Sequence, residues 1–123
     1  MSQTKSLMFA GMLALFSTGA LAAAVPSEIY QPAGAHTVKA DRQNDGEFEY
    51  EAELPARSTS VKALANKVIA HARSKGFRIV ESEIKRDEAD LEFKRGRHTL
   101  DVSIDKEDDG RIEYKADLDL DHN

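Results

Sequence analysis

Apolar and polar residues alternate along several stretches of the second half of the chain, and a period of two is typical of half-buried β-strands. The clearest case is GEFEYEAELP at 46–55, where four glutamates alternate with Phe48, Tyr50, Ala52 and Leu54. Pro55 ends this stretch, because proline cannot donate to a strand ladder. The sequence predicts five strands in all, the other four within 77–84, 90–95, 99–105 and 111–121.

Between the first two of these strands the apolar spacing changes to the period of a helix. Thr59 or Ser60 is the predicted N-cap, and Gly76 is the predicted stop. Positively charged Arg73 and Lys75 near the end suit the helix dipole. One long amphipathic helix is therefore predicted, with its apolar stripe at Val61, Leu64, Ala65, Val68, Ile69 and Ala72.

These elements predict an α+β fold over residues 46–121, in the order β-α-β-β-β-β. One amphipathic helix packs on one face of an antiparallel sheet, and the other face is polar and meets water. Residues 23–45 contain two prolines and no sustained period, which predicts a flexible N-terminal tail. Within it, HTVKA at 36–40 is a candidate for a short edge strand.

The first 22 residues have the anatomy of a secretory signal peptide. Lys5 precedes an apolar run from Leu7 to Phe16, and small residues follow. Cleavage after Ala22 and cleavage after Ala24 both fit the Ala-x-Ala rule. With no cysteine for a lipid anchor or a disulfide, we expect a periplasmic protein that is not a lipoprotein and does not remain inserted in the membrane.

The charge balance is acidic, with 22 Asp and Glu against 17 Lys and Arg and a net charge of −5. Removal of the signal peptide takes away Lys5 and no acid, so the mature net charge is −6. An acidic chain is poorly suited to nucleic acid, where phosphate contacts dominate affinity. It is equally unsuited to docking on anionic lipid. Nucleic acid is therefore not an expected partner.

Catalytic and metal-binding patterns do not occur in the sequence. The four histidines are isolated from one another, with no His-Glu-x-x-His and no pair at helical spacing. No Gly-x-Ser-x-Gly stands at a strand-to-helix turn, and no glycine-rich phosphate loop is present. We therefore expect a non-catalytic protein without a cofactor, without catalytic residues and without a dedicated metal site.

The candidate functional surface is the polar face of the sheet, where carboxylates recur along the alternating strands. Solvent exposure alone accounts for such residues. As a function we expect a small interaction module, an adaptor or regulator that binds an envelope protein through a sheet edge, the polar face or the tail. A homodimer through an edge is a further possibility, and the alternative is an acidic face that sequesters calcium or cationic peptides. The candidate face residues are Glu49, Glu51, Asp101, Asp117 and Asp119.

Overall fold

The structure is a computed structural model that describes residues 24–43 and 46–120. The predicted signal peptide, 1–22, lies outside the described residues. Within the described ranges the chain forms six strands and one helix. They are β1 (His36–Gln43), β2 (Glu47–Pro55), α1 (Val61–Ser74), β3 (Arg78–Ile84), β4 (Glu88–Arg95), β5 (His98–Lys106) and β6 (Arg111–Leu120).

All six strands belong to one sheet in the order β1-β2-β6-β5-β4-β3, and every neighbouring pair is antiparallel. The helix packs against β3, β4 and β5 on one face. The predicted α+β class, with one helix on one face of an antiparallel sheet, is confirmed. Strand β2 lies beside the last strand, β6, so the middle of the sheet joins segments that are far apart in the sequence.

The structure has one strand, β1, that the predicted order β-α-β-β-β-β lacks, and this strand precedes β2. Strand β1 lies inside the stretch 23–45 that the sequence assigned to a tail, and it extends the short candidate strand at 36–40 to Gln43. It is an edge strand that pairs only with β2. Its inward positions include Ala40 and Arg42, opposite Tyr50 and Phe48. Because so few apolar side chains point inward, the strand shows no clear alternation.

The segment before β1 packs onto the core as a strap, defined here as residues 25–32. Ile29 is only 2% exposed and belongs to the hydrophobic core. The Tyr114 hydroxyl, from the inner face of β6, donates a 2.8 Å hydrogen bond to the carbonyl oxygen of Tyr30. The strap therefore lies on the same side of the sheet as the helix, and the opposite side carries the candidate surface.

Arg95 ties the strap to the end of the helix. One guanidinium nitrogen donates to the Lys75 carbonyl oxygen at 2.9 Å, and the other reaches the Glu28 carboxylate at 3.1 Å. The same nitrogen donates to Nδ1 of His98 at 3.0 Å, because a guanidinium can only donate. The guanidinium also stacks on the Phe77 ring, 4.5 Å from its centroid. One side chain thus joins three segments.

The helix begins and ends as its sequence predicts. The Ser60 side chain accepts a 3.1 Å hydrogen bond from the Ala63 amide, which confirms Ser60 as the N-cap. Gly76 has a φ of +89°, in the left-handed region that glycine adopts without strain, and the Phe77 amide bonds back to the Ala72 carbonyl. The buried positions of the helix are Val61, Leu64, Ala65, Val68 and Ala72.

Candidate functional site: the acidic face of the sheet

Alternation places every second residue of the six strands on the side of the sheet opposite the helix. We call this surface the acidic face, because its carboxylates outnumber its lysines and arginines by about three to one, in contrast to the mixed signs usual on a protein surface. Its basic residues are Lys39, Arg78, Lys94, Arg111 and Lys115, and its carboxylates are Asp41, Glu47, Glu49, Glu51, Glu53, Glu81, Glu83, Glu88, Asp90, Glu92, Asp101, Asp105, Glu113, Asp117 and Asp119.

Six of these carboxylates, one from each strand, lie directly opposite one another and form a continuous line across the sheet. Neighbouring strands are about 4.8 Å apart, so the line is about 24 Å long. Like charges in directly opposed positions destabilise a sheet. We call this line the carboxylate row, and from β1 to β3 it consists of Asp41, Glu49, Asp117, Asp101, Glu92 and Glu81.

The centre of the carboxylate row resists ionisation. Burial raises the pKa of Asp117, and the carboxylates of Glu49 and Asp101 on either side raise it further. Burial likewise raises the pKa of Asp101, with Glu92 and Glu81 acting in the same direction and Lys94 opposing them. Each of these carboxyl groups therefore binds its proton more tightly than in an unfolded chain, because it is partly removed from water and its neighbours carry the same charge.

Glu49 differs from its neighbours in the row because it has a basic partner. Its carboxylate forms a 2.5 Å ion pair with Lys39 and accepts a 2.9 Å hydrogen bond from Gln43. The hydrogen bond from Lys39 lowers the pKa of Glu49, and a hydrogen bond shared with Asp117 acts in the same direction. The pKa values of these two neighbouring carboxyl groups are therefore shifted in opposite directions, that of Glu49 downward and that of Asp117 upward.

The five candidate residues from the sequence all lie on the acidic face, but they do not form one cluster. Glu49, Asp101 and Asp117 belong to the carboxylate row. Glu51 lies in the adjacent row, directly between Lys39 and Lys115. Asp119 lies on the other side of the row, opposite Glu47 and Thr99. The row members that sequence reasoning missed are Asp41, Glu81 and Glu92, because their place in it depends on strand register.

Two open depressions indent the acidic face and meet at its centre. One, of about 340 Å³, is lined among others by Glu81, Asp90 and Glu92. The other, of about 290 Å³, has Glu47 and Glu49 among its lining residues. Both include Asp101 and Asp117. The face therefore offers a continuous acidic trough across the sheet rather than a closed pocket.

The spacing of the carboxylates bears on the kind of cation that the face can hold. Across residues 24–43 and 46–120, no three His, Cys, Asp or Glu side chains are grouped so that they could hold a metal ion. Calcium needs several oxygens within about 2.6 Å of one point, whereas the row places one carboxylate about every 4.8 Å. The row therefore presents its carboxylates one at a time along a line rather than gathered around one point.

Both edges of the sheet carry a β-bulge. In β1 the pairing register shifts around Val38, and in β3 it shifts around Val80. These two side chains, 54% and 41% exposed, are the large hydrophobic residues exposed in the described part of the chain. Bulges and charged residues on edge strands oppose the addition of another strand. Each edge of the sheet therefore has a feature that opposes strand addition. No helix of the described residues has the length and apolarity needed to cross a membrane.

We expect Asp117→Asn to stabilise the fold at pH 7 by about 0.5–1 kcal/mol, a value discounted for solvent exposure, because it removes the charge between Glu49 and Asp101. The gain should vanish near pH 3. The folded-state pKa of Asp117 is raised, so its ionisation destabilises the fold as the pH rises. Urea unfolding at both pH values measures this. Glu51→Gln is the matched control and should weaken the fold slightly, because Glu51 lies between two lysines.

Comparison with protein-family models, with curated proteins and with solved structures finds no match to this chain. Its function must therefore be inferred from its own residues.

Proposed function

We propose that the chain is a small periplasmic interaction module, exported by its signal peptide and non-catalytic, that binds an envelope protein. The acidic face is the binding surface, and the bound element is a cationic segment of the partner. The single observation that supports this most is the carboxylate row, which runs across all six strands. The two depressions on this face have Asp101 and Asp117 in common, and together they can receive an extended cationic segment.

The energetics of the face support a docking role. Burial raises the pKa values of Asp101 and Asp117 and the neighbouring carboxylates raise them further, so the unbound face carries unfavourable repulsion. A cationic segment that lies along the row relieves this repulsion as it binds. Attraction between complementary charges also speeds association. This attraction weakens as the salt concentration rises, because the face is open to solvent. We therefore expect fast, reversible and salt-sensitive binding.

The shape of the face is better suited to binding a polypeptide than to binding a small molecule. The depressions are open, and the carboxylates are spread over about 24 Å rather than gathered at one point. A small molecule needs an enclosed site with a few convergent polar groups. A polypeptide with several lysines or arginines contacts a broad surface at many points, which matches the distribution of charge seen here. This chemistry defines the class of the partner, a protein with a segment rich in lysine or arginine.

The test is a titration of the mature protein, residues 23–123, with a synthetic peptide of lysine, arginine and alanine. Isothermal calorimetry should show binding at about 20 mM salt that weakens strongly by about 300 mM. The triple variant Glu49→Gln, Asp101→Asn, Asp117→Asn should bind more than about tenfold more weakly, since each lost charge contact contributes about 0.5–1 kcal/mol.

The matched control removes the same number of charges away from the acidic face. The variant Asp87→Asn, Glu107→Gln, Asp108→Asn changes turn residues and should lose less than about threefold in affinity. Equal losses in the two variants would show that net charge alone attracts the peptide. Failure of the unchanged protein to bind at low salt would rule out the acidic face as a docking surface for cations.

A further inference from the structure

One stretch of the chain has a net positive charge because it contains no acidic residue. Residues 54–80 contain six lysines and arginines and no aspartate or glutamate. The remainder of the mature chain contains all 22 acids and ten lysines and arginines, so its formal charge is −12 against +6 for this stretch. Most of this stretch is helix α1 with its flanking turns. Charge is therefore segregated between the helix and the sheet.

The helix presents three of these cations to solvent. Lys62, Lys67 and Arg73 are exposed on the side of α1 away from the sheet. None of the three forms a salt bridge with any residue in 24–43 or 46–120. Their neighbours on this outer side include Ala63 and Ala70, whose small side chains let another surface approach closely. We call this surface the basic helix face.

The basic helix face and the acidic face lie on opposite sides of the same molecule, because the helix packs on the inner side of the sheet. We propose that the acidic face of one copy receives the basic helix face of a second copy. The contact joins two different surfaces, so it is heterologous, and each bound copy leaves one face of each kind open. Repetition of the contact gives a closed ring or a stack of copies.

The spacing of the charges suits this contact. With a rise of about 1.5 Å per residue, Lys62 and Lys67 are about 7.5 Å apart along the helix axis, and Arg73 is about 9 Å further on. Every second member of the carboxylate row is about 9.6 Å from the next. Around the helix axis Lys62 and Arg73 lie about 20° apart, whereas Lys67 is about 120–140° away from them, so a helix laid across the strands straddles the row with cations on both sides. Carboxylates flank the row on both sides, with Glu47 and Asp119 on one and Glu51 and Asp90 on the other.

The proposal goes beyond a contact with an envelope protein, because both surfaces belong to this chain. The bulges at Val38 and Val80 oppose association through the sheet edges, which leaves the two faces as the complementary pair. The mature chain is acidic as a whole, so the copies repel at long range, and the contact between the two faces has to outweigh this repulsion. We therefore expect association at high protein concentration and low salt.

The test is sedimentation equilibrium of the mature protein, without peptide, over a range of concentrations. At about 20 mM salt the average mass should rise with concentration, and at about 300 mM it should return to that of the monomer. Lys62→Glu with Lys67→Glu should abolish the rise, and so should Asp101→Lys with Asp117→Lys. Circular dichroism shows whether each variant remains folded.

Mixing the two charge-reversed variants gives the decisive result. In the first variant two glutamates replace helix lysines, and in the second two lysines replace the centre of the carboxylate row. Each variant therefore sets like charges against each other at the centre of the contact and should not associate with itself, whereas the glutamates of one can pair with the lysines of the other. A mature protein that stays monomeric at low salt, or a rise in mass that survives both reversals, would overturn the proposal. Peptide binding is measured on dilute, monomeric protein, so self-association can fail while the proposed binding of a cationic partner still holds.

Discussion

Phe93→Ala should destabilise the fold by about 3–5 kcal/mol, which is the usual cost of removing a large aromatic side chain from a packed core. Phe93 is fully buried at 0% exposure, in the middle of β4. Its neighbours across the strands are Ile79 on β3 and Leu100 on β5, and the helix packs over these strands. The cavity is therefore enclosed on all sides and cannot collapse easily.

Urea unfolding followed by circular dichroism measures this loss. Val80→Ala is the matched control, because it removes apolar atoms from the neighbouring strand at a position that is 41% exposed. It should change the free energy of unfolding by less than about 0.5 kcal/mol. A loss below about 1 kcal/mol for Phe93→Ala would mean that the helix does not cover β4 as described.

Ile29→Ala should cost about 2–4 kcal/mol, because the side chain is 2% exposed and belongs to the core. This result depends on the strap being in place in the mature protein. Three polar contacts help to hold it. They are the bond from the Tyr114 hydroxyl to the Tyr30 carbonyl, the bond between His71 and the Ser27 carbonyl, and the ion pair of Glu28 with Arg95.

The neighbouring substitution Ser27→Ala is the control for the strap. Only the backbone carbonyl of Ser27 bonds to His71, so loss of its side-chain hydroxyl should leave the stability unchanged within about 0.5 kcal/mol. Urea unfolding of both variants makes the comparison. If Ile29→Ala were as neutral as Ser27→Ala, residues 25–32 would not be packed on the core, and the prediction of a flexible tail would apply to them.

Local periodicity was enough to predict most of the elements. Strand β2 and helix α1 have periods of two and 3.6 because each buries one face, and the cap at Ser60 follows from residues next to it. The same reasoning located β4, β5 and β6. Strand β1 has no such period, because an edge strand with few inward apolar residues is held mainly by its backbone pairing with β2.

The candidate surface was only partly predictable for a related reason. Alternation assigned Glu49, Asp101 and Asp117 to the polar face, and they do lie there. Which carboxylates oppose one another depends on strand order and register, and these are set by long-range packing. Glu92 and Glu81 complete the carboxylate row only because β3, β4 and β5 pair in this register. A single sequence gives no signal for that.

The pairing of β2 with β6 has a consequence for the order of folding. Glu47 lies opposite Asp119, so the centre of the sheet closes only when the last strand has been made. Contacts between such distant segments slow folding, because the whole intervening chain loses freedom before the pairing stabilises it. A shorter, unfinished chain lacks the partner that its second strand needs. We therefore expect the sheet to be completed only after β6 has been synthesised, and the strands on either side of the β2–β6 pair to fold together.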